Sequence, residues 1–136
     1  MARGQPLDEY IRVAEFRAAL RRFLRRSERV ARESGLTPQR YLLLLMIKGS
    51  ADSRERSTVT ELAERLQLAQ STVTELVGRA EEAGLIEREA STADGRVAHL
   101  RLSAEGEDRL ARAFTGLASE RRHLLSSLVS LDRDGG

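Results

Sequence analysis

Along residues 8–33, apolar and small side chains recur every three or four positions, at Ile11, Ala14, Leu20, Phe23, Leu24, Ser27, Val30 and Ala31, with arginines on the other faces. This spacing predicts a long amphipathic helix that stops at Gly35. Thr37-Pro38 then pairs an N-cap hydroxyl with a proline suited to the first turn, and the apolar run 41–47 predicts a buried helix ending near Gly49, at the centre of the core. Residues 49–57 are polar and charged and read as a surface loop. Next, Ser57-Thr58-Val59-Thr60-Glu61-Leu62 returns fourteen residues later as Ser71-Thr72-Val73-Thr74-Glu75-Leu76. Two copies are too few for a stacked repeat, and what they share is a hydroxyl three positions before a glutamate, a helix-opening signal. Two short helices are expected, at about 58–66 and 70–83. Leu62, Ala63 and Leu66 give the first an inward stripe, and Val73, Leu76, Val77 and Ala80 give the second one. Gly84 closes the second helix, and only Gln67-Leu68-Ala69 separates the pair, so they must cross steeply as a helix-turn-helix, although Ala69 is a poor N-cap.

After Gly84 the period changes from 3.6 to 2. Residues 85–89 read as a strand, Val97, His99 and Arg101 alternate with Ala98, Leu100 and Leu102, and Asp94-Gly95 supplies a turn between them. A final helix is expected over 104–131, with Leu110, Ala113, Phe114, Leu117, Leu124, Leu128 and Leu131 at helical spacing and a bend at Gly116. The expected fold class is therefore mainly α with a small β-hairpin, one domain over residues 1–136. Within it, a winged helix-turn-helix lobe spans 37–102, with the helix-turn-helix at 58–83 and the wing at 85–102. The long terminal helices 8–33 and 104–131 flank that lobe.

Composition narrows the function. With 136 residues, 40% of them hydrophobic and 32% charged, the chain suits one modest core in a soluble protein. Its longest apolar run, 41–47, cannot span a bilayer, and charges interrupt the first thirteen residues, so no membrane and a cytoplasmic location are expected. The chain has no cysteine, which excludes disulfides, thiolate chemistry and cysteine zinc sites within it. Net charge is only +2, but 22 of the 23 basic residues are arginine, a side chain suited to bidentate phosphate contacts and also enriched by GC-rich coding sequence. Residues 10–33 hold eight arginines against three glutamates, whereas residues 57–83 hold two against five. The basic charge on the first helix reads as a solvated face around its apolar stripe.

No nucleophile stands beside a base, no carboxylate pair or glycine-rich phosphate loop occurs, and His99 and His123 lack partners at ligand spacing. No catalytic residue, cofactor or metal is expected, and the chain is not expected to be an enzyme. A helix-turn-helix followed by a hairpin instead fits duplex DNA, the second helix in the major groove and the β-loop in the adjacent minor groove. With positions 73, 76, 77 and 80 turned inward, Gln70, Ser71, Thr72, Thr74, Glu75 and Arg79 form the readable surface, together with Gly78. Asp94 and Arg96 stand at the wing tip, where a guanidinium suits a narrow minor groove.

The order of the long helix, the Thr-Pro helix, "TVTELAERLQL", "AQSTVTELVGRAEEAGLIERE", "DGR" and "LRLSAEG" resembles the multiple antibiotic resistance regulator (MarR) family of winged-helix transcription factors. The resemblance runs from about residue 8 to 117 and is most specific over 58–106. It implies that the helix at 70–83 enters the major groove and that Asp94 and Arg96 meet the minor groove. It further implies a homodimer joined by the terminal helices, and a repressor released by a small phenolic or anionic ligand bound between the dimer and DNA-binding lobes. Gly106 matches the glycine that opens the helix after the wing. Three departures stand out. Glu75 replaces a frequent basic residue, Asp-Gly-Arg replaces Asp-Arg-Arg, and the chain reaches Gly136 where relatives are expected to continue into another terminal helix. The alternative reading is a winged-helix adaptor that binds protein instead of DNA, favoured by the acidic balance of residues 57–83.

Overall fold

The computed structural model describes Gly4 and residues 6–90 and 97–134. Six helices and two strands follow in the order α1 (Leu7–Glu33), α2 (Pro38–Lys48), α3 (Val59–Leu66), α4 (Gln70–Glu82), β1 (Ile86–Ala90), β2 (Ala98–Leu102), α5 (Ala104–Gly116) and α6 (Ala118–Asp134). Ser34 caps the C-terminus of α1 and Gly35 adopts φ 78°, which lets the Leu36 amide turn back to the Ala31 carbonyl at 2.9 Å. Thr37 Oγ1 then accepts from the Arg40 amide at 3.1 Å, and Pro38 occupies the first helical position, as the sequence predicts.

The core is built around α2. Leu43, Leu44 and Ile47 are wholly buried, and α2 packs against α1, α3, α4, α5 and β2. Leu62 of α3, Val73, Val77 and Ala80 of α4, Leu85, Leu100 of β2 and Leu117 complete one contiguous cluster. Each leucine of this kind contributes about 1.5–3 kcal/mol through the apolar area it removes from water. Lys48, the last residue of α2, pairs with Glu55 and lies 3.0 Å from Glu107, tying the loop 49–57 and α5 to the central helix. The bond to Glu55, and then that to Glu107, raises the Lys48 pKa above its usual value.

β1 and β2 pair antiparallel, with Ile86 opposite Leu102 and Ala90 opposite Ala98. Ser57, expected in the loop, also joins this sheet: it donates its amide to Leu100 O at 3.1 Å and accepts from Leu100 N at 2.8 Å. It is buried there, so the cap of α3 falls to Thr58.

Two expectations need correction. The second copy of the repeated hexapeptide opens no helix: α4 begins at Gln70, and Ser71 to Leu76 lie inside it because the burial of Val73 and Leu76 sets the register. The helix expected over 104–131 is two helices that break at Leu117, one residue after the expected bend. Gly116 explains the place, since a Cβ there would sit 2.9 Å from Val30 Cγ1, so α5 ends where it crosses α1 and α6 runs back along α1.

The first turn of α5 comes closer still. A Cβ on Gly106 would stand 2.1 Å from the Leu85 carbonyl oxygen, the same oxygen that accepts from the Ser103 amide at 2.9 Å. Ser103 Oγ donates to Gly84 O at 2.6 Å and accepts from Gly106 N at 3.1 Å, so one hydroxyl joins the end of the wing, the end of α4 and the start of α5. Gly106→Ala must push backbone from backbone and is expected to cost about 1–3 kcal/mol in urea unfolding. Gly78→Ala, in mid-helix with open space around the new methyl, is expected to stabilise by about 0.5–1 kcal/mol in the same measurement. Ser103→Ala leaves the Gly106 amide without its cap and is expected to cost about 1 kcal/mol, with faster hydrogen exchange at Gly106.

Candidate nucleic-acid interface

The two helices of the helix-turn-helix start in opposite ways. In α3, Thr58 Oγ1 accepts from the Glu61 amide at 3.2 Å while Glu61 Oε1 accepts from the Thr58 amide at 3.0 Å, a complete capping box. In α4 the N-cap is Ala69, no side chain caps the first turn, and no acidic residue lies in it. The first amides of α4 therefore point outward with no side-chain acceptor, and the helix dipole makes that end attractive to an anion. Spacing alone marks Ala69 as a weak cap; that no other side chain takes its place is a property of the folded turn.

The turn is tight because Gln67 adopts the left-handed conformation, φ 56° and ψ 47°, with its side-chain amide donating to Glu64 O at 2.6 Å and Leu68 N returning to Ala63 O at 3.0 Å. A non-glycine residue there carries a conformational cost, accepted where the chain has to turn in three residues. On α4, Val73, Leu76, Val77 and Ala80 are buried against the core, and Gln70, Ser71, Thr72, Thr74, Glu75 and Arg79 are all exposed on the other side. Gly78 is partly covered. The structure thus brings the six α4 residues expected from the sequence onto one solvent-facing ridge. Within it, Thr74 Oγ1 donates to Gln70 O at 2.9 Å, and Arg79 Nη2 lies 2.7 Å from Glu75 Oε1. An exposed i,i+4 pair of this kind is worth only about 0.3–0.5 kcal/mol, so Arg79 is easily released to another anion. Arg65 is committed elsewhere: its Nη1 donates to Met46 O and Gly49 O, capping the C-terminus of α2.

The wing is tied to the ridge. Arg88 Nε on β1 reaches both oxygens of Glu81 on α4 at 2.9 Å, and this hydrogen bond raises the Arg88 pKa further. Across the hairpin, Glu89 meets Arg101 at 3.3 Å and Arg56 at 3.8 Å. Sequence reasoning missed both links, because neither has a local spacing that would mark it. Asp94 and Arg96, the expected wing-tip residues, and the turn at Asp94-Gly95 lie outside the described residues. His99 Nδ1 is buried without a hydrogen-bond partner, His123 is exposed, and no group of three or more potential metal ligands occurs among the described residues. Among those residues, too, no helix is long and apolar enough to cross a membrane.

A profile of the MarR family matches residues 34–97. Over 97 residues, or 71% of this chain, the sequence is 31% identical to the HTH-type transcriptional repressor MdtR of Bacillus subtilis (strain 168), and the match spans 60% of that protein's length. The fold is similar to that of AbsC, a MarR family transcriptional regulator from Streptomyces coelicolor, with a TM-score of 0.73 over 98% of this chain and 93% of that one, at 20% identity. It is also similar to Sco3205, a MarR family transcriptional regulator from the same organism solved in complex with DNA, with a TM-score of 0.69, 24% identity, and 98% and 88% of the two chains covered. Sequence matches across the lobe and a shared winged-helix fold over nearly the whole length lead to one conclusion: the chain belongs to the MarR family.

Proposed function

We propose that this protein is a DNA-binding transcriptional regulator, a homodimeric repressor that recognises a pseudo-palindromic operator. The observation that carries this reading is the α4 ridge: six exposed polar residues beside an uncapped helix N-terminus, backed by a buried apolar face. Ser71 and Thr72, in the first turn, would join the free amides on a phosphate; Gln70, Thr74, Glu75 and Arg79 would meet base edges or the neighbouring backbone. Arg96, with Asp94 beside it, would enter the minor groove. The likeness to Sco3205, solved with DNA, and to MdtR, a repressor by name, supports this assignment.

The proposed dimer has a physical motive. Leu7, Tyr10, Ile11 and Val13 on α1 and Leu125, Leu128 and Val129 on α6 are exposed apolar side chains on the two terminal helices, which pack on each other. Joining two copies there would cover them and place the two α4 helices on successive major grooves, about 34 Å apart. In this scheme residues 1–136 act as one domain, with the lobe 37–102 reading DNA and the terminal helices holding the pair together. The protein works in the cytoplasm, has no enzymatic role, and is released from DNA by a small phenolic or anionic effector.

Fluorescence anisotropy on duplex from the gene's own upstream region tests the assignment. Binding is expected to weaken steeply with salt, and Arg96→Ala to make the log-log slope shallower by about one unit. Failure to bind any such duplex at low salt would favour the protein-binding adaptor. Two variants separate binding from folding. Ala69→Asp supplies the missing cap, so it is expected to stabilise the fold by about 0.5–2 kcal/mol while weakening DNA binding by placing a carboxylate where phosphate belongs. Glu75→Gln frees Arg79 and removes a negative charge, so DNA binding should tighten several-fold with a stability change below about 0.5 kcal/mol.

A further inference from the structure

Of the six residues on the α4 ridge, Glu75 is the one acid and Arg79 the one base. They stand about one turn apart, and Arg79 Nη2 donates to Glu75 Oε1 at 2.7 Å. Other acids of the lobe have tasks within it: Glu61 closes the capping box of α3, and Glu81 holds Arg88 of the wing. The Glu75–Arg79 couple ties down no third element. Among the described residues, Glu75 Oε2 and Arg79 Nε and Nη1 make no hydrogen bond or ion pair. A guanidinium carries five N–H donors, so the one spent on Glu75 leaves a fork of two free. Along the solvent face of α4 the couple therefore presents one acceptor beside two donors.

A carboxylate in this place has few partners on a duplex. Phosphate and sugar oxygens have no hydrogen to give it, and in the major groove only the exocyclic amines, cytosine N4 and adenine N6, donate. Across that groove a C·G pair shows a donor and then two acceptors, cytosine N4 followed by guanine O6 and N7. A T·A pair shows acceptor, donor, acceptor in either direction, with a methyl group beside them. One acceptor beside two donors complements the first edge and not the second. We infer that Glu75 and Arg79 act as one unit that selects a C·G pair in each half-site, Glu75 accepting from cytosine N4 and Arg79 donating to guanine O6 and N7. The inference rests on the proposed place of α4 in the major groove. The couple need not part to make these contacts, and its weak bond orders two long side chains before DNA arrives. Facing thymine O4, the same carboxylate meets another acceptor, so the wrong pair is penalised as well as unrewarded.

Selection of bound duplexes from a random-sequence pool by the full chain, read by sequencing, tests the inference. The unaltered chain is expected to fix a C·G pair at one position of each half-site. Glu75→Gln should lose that preference and gain A·T at the same position, because a side-chain amide matches adenine N6 and N7, while the other positions stay as they were. Arg79→Gln should lose the guanine of the same pair. In fluorescence anisotropy, replacing that C·G by A·T is expected to weaken the unaltered chain about tenfold or more. Glu75→Gln should tighten on both duplexes but more on the substituted one, so that the ratio of affinities falls to about one or below. Both side chains are exposed, and thermal melting checks that each variant folds; Glu75→Gln alone decides the matter if Arg79→Gln does not. The inference fails, with DNA binding by α4 intact, if neither variant changes a C·G preference, or if Glu75→Gln shifts affinity equally for every base pair. If the pool yields no enriched duplex, the inference and the proposed function fail together.

Discussion

Burial of the apolar edge of α4 against α2 is the constraint on which the rest depends. Val73, Val77 and Ala80 have no exposure, and they share one core with Leu43, Leu44 and Ile47. Because a helix face is fixed once its opposite face is buried, this packing alone decides that Gln70, Ser71, Thr72, Thr74, Glu75 and Arg79 point to solvent. The ridge needs no special chemistry to be presented; it is what remains of α4 after the core is satisfied. Rotation of α4 by one position would bury Thr72, Glu75 and Arg79 and expose Val73, Val77 and Ala80, at a cost far above that of any contact on the exposed side.

The other links around the lobe are polar and individually small, but they fix relative positions. Ser103 joins Gly84 to Gly106, the Leu85 carbonyl packs on that glycine in the first turn of α5, and Arg88 holds β1 to Glu81 of α4. Together they give the wing and the ridge one frame. Ser57, bridging to Leu100 just before α3, closes that frame from the other side. The arrangement lets an exposed hairpin, which alone would be marginal in water, borrow its order from the helical core.

Local periodicity carries most of this fold. The stripes of α3 and α4, the alternation along β2, the Thr37-Pro38 start and the Thr58–Glu61 box depend on residues close in sequence, and each lies where its pattern places it. What the sequence hides is long-range. The break between α5 and α6 follows from Gly116 meeting Val30, while the leucine spacing of residues 110–131 runs on across it. The repeated hexapeptide misleads for the same reason: identical letters cap a helix at Thr58 and sit within one at Thr72, because burial of Val73 and Leu76 outweighs a local capping preference. The α4 part of the candidate site is legible as a face. The free amides behind Ala69 and the Arg88 strap need three dimensions.

Charge is divided to match. The acidic balance of residues 57–83 leaves α4 to rely on its amide end, its hydroxyls and Arg79, while the basic charge is concentrated on α1. The account's central claim is that the solvent face of α4, in two copies, lies in successive major grooves. Hydroxyl-radical footprinting of the protein on its bound duplex tests this most directly. Protected patches on one face of the DNA, centred about 10 bp apart and related by two-fold symmetry, are predicted. Uniform protection without that period, or none at protein concentrations that saturate the duplex, would contradict it.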